Sequence, residues 1–276
     1  MMLLISCDME GISGVVDWEQ TRPGTSEWER GRRWMTGDVN AAVRAAFEAG
    51  ADQVVVSDAH GRARNLLLEE LDARVALHSG HPAPVSMLQG IDAPERYDGL
   101  IFVGYHARAG TLDSVLCHTW SDNVAAVWLN DVLVGEIGLN AALAGHFGTP
   151  LIAIAGDLKA CQEAQELIGS QLEVAPVKTS IGRFAARCLP FEESRRLIHQ
   201  AVSRAVNRLK AGQAPKPFVI ARPVRLAVEY LRPNLTDRAA WLPGSRRVSA
   251  TRLEYDAKDM WEVMQAFRSM TALAVE

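Results

Sequence analysis

Asp8 and Glu10 close an apolar run, "LLISCDMEGISG" (residues 3–14), one residue apart and directly before Gly11. Side chains two apart on an extended segment share a face, so these two carboxylates aim at one point. Carboxylates are costly to bring near a core unless something pairs with them. Three further apolar runs end in a comparable way. "VVVSDAHG" delivers Asp58 and His60, "LIFVGYHARAG" delivers His106 and Arg108, and "VLVGEIG" delivers Glu136. Asp8, Glu10, His60, His106 and Glu136 make a mixed oxygen and nitrogen donor set without thiolate, which suits zinc, manganese or iron. Five ligands exceed the needs of one tetrahedral zinc. They suit two ions ~3.5–4 Å apart that share a carboxylate and keep open positions for water. Such a pair generates hydroxide near neutral pH and polarises a carbonyl or phosphoryl oxygen.

Taken one at a time, each residue has a plainer explanation: a turn cap, a hydrogen-bonded histidine, or a glutamate favouring a helix N-terminus. Their recurrence at strand ends carries the inference, because open α/β sheets bind ligands beyond the carboxyl ends of their strands. Asp58 is read as a turn or supporting residue, and Asp157, after "LIAIAG", as a helix cap. His118, in "VLCHTW", is the remaining acid–base candidate, able to protonate a leaving amine or steady an oxyanion. Cys117 is not its nucleophilic partner, since adjacent residues on an extended strand face opposite ways. Trp120 is expected to line a pocket. Gly11 is expected to turn the chain away from the site, since glycine accepts backbone angles that other residues avoid.

These side chains must be held by a scaffold. The 276 residues, 48% hydrophobic and 22% charged, match an ordinary globular protein. A net charge of −4 gives no footprint for nucleic acid or an anionic membrane, and no apolar run reaches the ~20 residues of a membrane span. The four cysteines form no CxxC pair, which predicts reduced thiols and a cytoplasmic protein.

Strand-like runs at Leu3–Cys7, Gln53–Ser57, Leu100–Gly104, Val124–Leu129 with Val132–Gly135, and Leu151–Ala155 alternate with helical patterns. Ser26 with Glu29 reads as a capping box, and Thr36 as the cap of a helix through Val39, Val43 and Phe47 to Gly50. Residues 137–147 and 158–168 read as further helices, and "LNDVL" (129–133) as a tight hairpin. The expected fold is α/β: a mostly parallel, helix-covered sheet in residues 1–188 carrying the metal site. A smaller α+β region follows in 189–276, with an amphipathic helix over 191–210, strands at 223–231 and 246–256, and a closing helix over 258–273.

The motifs "DMEGISGV" (8–15), "SDAHG" (57–61), "GYHARAG" (104–110), "CHT" (117–119) and "VGEIGLNA" (135–142) resemble, in order and spacing, those of the D-aminopeptidases of the DppA type, peptidase family M55. "PVKTSIGRFAA" (176–186) is similar as well. The resemblance implies a binuclear zinc aminopeptidase acting on short peptides with an N-terminal D-residue, such as D-Ala-D-Ala. It implies that Asp8 bridges two zinc ions, that Glu10, His60, His106 and Glu136 complete the set, and that His118 is the catalytic histidine. It also implies a homo-oligomer, two five-membered rings stacked into a decamer. On the residues alone, another dimetal hydrolase (a D-amino-acid amidase or a phosphoesterase) and a non-catalytic metal- or dipeptide-binding assembly stay open.

Overall fold

The computed structural model describes residues 1–81 and 84–275. β1 (Met2–Cys7) is an uninterrupted buried run, as a strand covered on both faces requires. It pairs in parallel with β2 (Gln53–Asp58) on one side and β4 (Gly99–Tyr105) on the other. The whole sheet has the order β3 (Ala76–His78), β2, β1, β4, β7 (Leu151–Asp157), β8 (Glu173–Gly182), β9 (Ala185–Cys188), parallel except at β9. The chain winds outward from β1 to β2 and β3, then crosses back to β4 and winds the other way. The crevice beyond the carboxyl ends of β1 and β4 is therefore a topological switch point, where α/β sheets place their ligands.

A second, antiparallel sheet has the order β11 (Arg246–Arg247), β12 (Arg252–Ala257), β10 (Val224–Tyr230), β5 (Val124–Leu129), β6 (Val132–Val134). The α/β architecture with a mostly parallel first sheet is the one expected. Sheet membership, however, does not follow the division at residue 188. The hairpin β5–β6 lies before it and pairs with β10 after it. β5 mixes buried with half-buried residues and β6 exposes Val132 and Leu133, which suits this antiparallel sheet better than a doubly covered parallel one. Conversely α4 (Phe191–Lys210) packs on α1 (Ser26–Glu48) and β8, covering the first sheet.

Two cores result. On one face of the first sheet, Leu3, Ile5 and Cys7 pack with Met35, Val39 and Val43 of α1 and Ile198, Val202 and Val206 of α4. On the other, Leu4, Phe102 and Tyr105 share a core with α2 (Glu136–His146), β5, β10, α5 (Pro233–Ala239) and α6 (Met260–Leu273). Each fully buried aliphatic side chain contributes about 1.5–3 kcal/mol, so the strand ends project from a rigid base.

Several local expectations are corrected. The helix of residues 26–48 is continuous and is capped by Thr25, whose Oγ1 accepts from the Trp28 N–H at 2.9 Å, rather than by Ser26 with Glu29. Thr36 lies inside it, donating to the Arg32 carbonyl and accepting the Leu67 N–H, so its hydroxyl is not free to cap. Residues 246–256 form two strands instead of one. The strand β8 went unread because it contains Pro176. That residue is tolerated because β9 pairs with β8 only from Lys178 onward, which leaves Pro176 on an open edge. The Asn130–Asp131 hairpin turn, with Asn130 at φ +55°, is as expected.

Candidate metal centre

The end of β1 is fastened to the end of β4. Asp8 N–H donates to the Val103 carbonyl (2.9 Å) and Gly11 N–H to the Gly104 carbonyl (2.7 Å). Gly11 does not have a positive φ, so the expectation of an unusual turn angle is corrected. The requirement is space: a Cβ on Gly11 would lie 2.0 Å from the Tyr105 carbonyl oxygen. Gly104 (φ +76°) answers from the other side, where a Cβ would meet the Asp8 carbonyl at 2.2 Å. The two backbones cross closely enough to set Asp8 and Glu10 beside His106.

The cluster assembles from five chain segments. His60 Nδ1 lies 3.2 Å from Asp8 Oδ1 and 3.0 Å from Glu10 Oε2. His106 Nε2 lies 3.3 Å from Asp8 Oδ2 and 3.4 Å from Glu136 Oε1. Asp8 thus shows one oxygen to each imidazole. His118 stacks on His106 with ring centroids 4.1 Å apart, and its Nε2 is 3.8 Å from Glu136 Oε1. All six side chains named from the sequence come together, Glu136 arriving from the second sheet as the first residue of α2. His118 belongs to the cluster's ligand-capable atoms as well. The groups Asp8, Glu10, His60 and His106, His118, Glu136 each hold their ligand atoms within 4.8 Å of one another.

The tautomers follow from the backbone. His60 Nε2 meets the Thr21 carbonyl (3.1 Å), His106 Nδ1 the Ala107 carbonyl (3.0 Å) and His118 Nδ1 the Leu116 carbonyl (2.8 Å). Carbonyls only accept, so each ring spends its N–H there and turns its other nitrogen on the carboxylates, as metal-bound histidines do. Glu10 Oε2 and His106 Nε2 are buried without a hydrogen-bond partner. Buried polar atoms are rarely left so, and each belongs to one of the two ligand-capable groups. Carboxylate oxygens facing bare ring nitrogens repel unless a cation lies between them, and the donor set fits zinc. Burial works against ionisation of Asp8, yet the neighbouring His106 and His60 hold its carboxyl well below the usual range. Glu136 is likewise lowered against burial, by His106 and His118. With no cation between them, burial opposes charge on His60 and His106 but the carboxylates raise both well above the ordinary imidazole value, so a proton and a metal ion compete for the same ring nitrogens.

Surrounding residues hold the frame. Asp58 accepts the backbone N–H groups of Asn65 and Leu66 and the Asn65 amide, so it is the turn residue expected. Asp157 caps α3 (Leu158–Ile168) through the Lys159 N–H, as expected. The loop bearing His118 is strained: Asp113, Leu116 and Trp120 all have φ between +50° and +67°, which side-chain-bearing residues seldom adopt. Trp120 N–H donates to Glu136 Oε1 at 2.7 Å, tying this loop to the cluster.

A cavity of about 450 Å³ opens over these residues, and Trp120 lines it as expected. Trp18, edge-on to His118 at 5.2 Å, also lines it but carried no sequence signal beyond being an aromatic. His81 and Arg22 line it too, whereas Arg108 pairs with Glu163 (3.4 Å) outside it. Glu163 was missed although its place on the buried stripe of α3, beside Ala160 and Ala164, marked it as unusual. It accepts the Arg108 N–H at 2.8 Å, steadying the turn after His106. Lys178, buried in β8, was missed as well; burial pushes its ammonium down to about 8, with Asp157 acting in the opposite sense.

The chain matches the peptidase M55 (D-aminopeptidase) family model over residues 1–269. It belongs to that family. A D-aminopeptidase of Bacillus subtilis (strain 168) is 38% identical over 277 residues, covering 100% of this chain and 98% of the relative. The solved structure of the Zn-dependent D-aminopeptidase DppA from Bacillus subtilis, described as a self-compartmentalizing protease, superposes with a TM-score of 0.94 at 37% identity. That match covers 99% of this chain and 98% of the other. This M55 chain is therefore a peptidase of the D-aminopeptidase class, and the recognition made from its motifs holds. No helix among the described residues is long and apolar enough to cross a membrane.

Proposed function

We propose that this M55 chain is a binuclear zinc aminopeptidase that hydrolyses short peptides with an N-terminal D-residue, D-Ala-D-Ala among them. The observation that carries the reading is the convergence of three imidazoles on three carboxylates beneath an open cavity, whose wall includes all of them except His106. Asp8, Glu10, His60, His106 and Glu136 would hold the two ions. Bound zinc supplies a water acidic enough to attack near neutral pH and polarises the scissile carbonyl.

The chain's own residues do the rest. Asp8, Glu10, Glu136 and Asp122 line the cavity, while Arg22 is the sole lysine or arginine on its wall among the described residues. With Asp8, Glu10 and Glu136 engaged by the ions, the rest of the wall adds the Asp122 carboxylate and a single guanidinium, so beyond the ions it offers little to hold a phosphate group, which favours an aminopeptidase over a phosphoesterase. His118 would take the attacking water's proton at Nε2 and pass it to the leaving amine, with Glu136, 3.8 Å away, stabilising the charged ring in between. Trp18 and Trp120 wall the space around that transfer, and the cavity's volume suits a ligand of dipeptide size. The free cysteines support a reducing, cytoplasmic setting. The relative's self-compartmentalizing character supports assembly of this chain into a ring-stacked decamer.

The test is a panel of D- and L-aminoacyl anilides and dipeptides, with and without chelator. Chelator-sensitive turnover of the D-series alone is the expected result. Bound zinc without turnover of any member would favour a binding assembly instead.

A further inference from the structure

Lys178 is the one lysine buried among the described residues, 1% exposed. Its Nζ reaches out of β8 to the segment after β1. There it donates to the carbonyls of Glu10 (2.6 Å), Ile12 (2.9 Å) and Val15. An ammonium has three protons, and all three are used on this one loop. Residues 8–16 belong to no helix or strand, so their carbonyls lack ladder partners. Buried carbonyls must be satisfied, and Lys178 satisfies three at once with charge-assisted bonds, roughly twice as strong as neutral ones.

The same loop is held from its other side by the Gly11 N–H on Gly104 and by the Ser13 N–H on Asp38. Neither contact reaches the carbonyl of Glu10. Lys178 thus holds the Glu10 backbone carbonyl, and it does so from a strand more than 160 residues away.

We propose that Lys178 is a positioning residue of the metal centre. By gathering the Glu10, Ile12 and Val15 carbonyls it fixes the loop so that the Asp8 and Glu10 carboxylates face His60 and His106. This rests on the reading of Asp8 and Glu10 as zinc ligands. Lys178 touches neither substrate nor reacting atoms, so its effect is transmitted through the loop.

The test compares Lys178→Met with Val177→Ala, a truncation of the adjacent buried core residue on the same strand. Zinc affinity is read by competition with a chromophoric chelator, and stability by melting of the metal-free chains. The expected result is a zinc affinity ~10–100-fold weaker in Lys178→Met, the range for groups that orient metal ligands, and unchanged in Val177→Ala. Equal zinc affinity in Lys178→Met and wild type would overturn the proposal, as would an equal loss in Val177→Ala at matched stability. A wild-type chain that takes up no zinc would instead overturn the ligand reading beneath it. Should Lys178→Met not fold, the wild-type chain still decides the matter. Its slowest-exchanging lysine ammonium resonance in ¹⁵N NMR must shift on zinc addition, and a resonance that does not move would refute the role.

Discussion

Gly11→Ala tests the close crossing on which the metal centre depends. The new Cβ would sit 2.0 Å from the Tyr105 carbonyl oxygen and 2.5 Å from the Gly104 carbonyl carbon. Both are backbone atoms, so no side chain can swing aside, and the segment carrying Asp8 and Glu10 must withdraw by about 1 Å or more. Withdrawal also stretches the 2.7 Å bond from Gly11 N–H to Gly104. Overpacking of this kind costs about 1–3 kcal/mol and the hydrogen bond about 1 kcal/mol, so a loss of about 2–4 kcal/mol is expected. For a chain of this size each kcal/mol lowers the melting temperature by ~2–4 °C, which predicts a fall of roughly 5–15 °C for the metal-free protein. Displacing two proposed ligands by about 1 Å should further cut kcat/KM on D-Ala-D-Ala by ~100-fold. Gly182→Ala is the control, since its Cβ would meet nothing within 4 Å. The assay is thermal melting with chelator present, followed by steady-state kinetics after zinc reconstitution. A Gly11→Ala chain that melts and turns over like Gly182→Ala would refute the reasoning.

Three further outcomes are expected. His60→Ala and Glu136→Ala should each lower kcat/KM on D-Ala-D-Ala by at least the ~10–100-fold typical of the groups that orient such ligands, read with zinc in excess; unchanged rates would remove those residues from the site. Burial raises the Asp38 carboxyl above its unfolded value despite the Ser13 N–H and Arg195. A raised carboxyl contributes stability below the unfolded range and loses it as pH rises through the folded value. The destabilisation caused by Asp38→Asn should therefore shrink as pH climbs through the weakly acidic range, as measured by denaturant unfolding of both chains. Burial raises the Cys7 and Cys161 thiols, while Cys188 is exposed. A disulfide-exchange reagent should label Cys188 quickly in the native chain and reach Cys7 and Cys161 only on unfolding, which peptide mapping would show.

The parts of this site that were legible in the sequence are those whose chemistry is local. Asp8, Glu10, His60, His106 and Glu136 each follow an apolar run, and a polar residue at a strand's end has few plain reasons to recur. The sheet was legible because strands buried on both faces are largely apolar, as Leu3–Cys7 is apart from Ser6. What was not legible depends on contacts between distant segments. The pairing of the β5–β6 hairpin with β10 leaves no mark on either stretch, so the second sheet was divided wrongly between two regions. Gly11 was explained by its own dihedral freedom, whereas the true constraint is the Tyr105 carbonyl from another strand. Lys178 hid within a strand that Pro176 disguised, and its three partners lie at the opposite end of the chain.

The central claim is that the strand-end cluster holds two zinc ions and uses them on a D-residue. Its most direct measurement is a zinc titration of the chelator-stripped chain, following D-Ala-D-Ala cleavage and bound metal together. No cleavage at zero zinc and a plateau at two equivalents per chain are expected. Cleavage that persists without metal, or a plateau at two equivalents with no cleavage at any point, would contradict that claim.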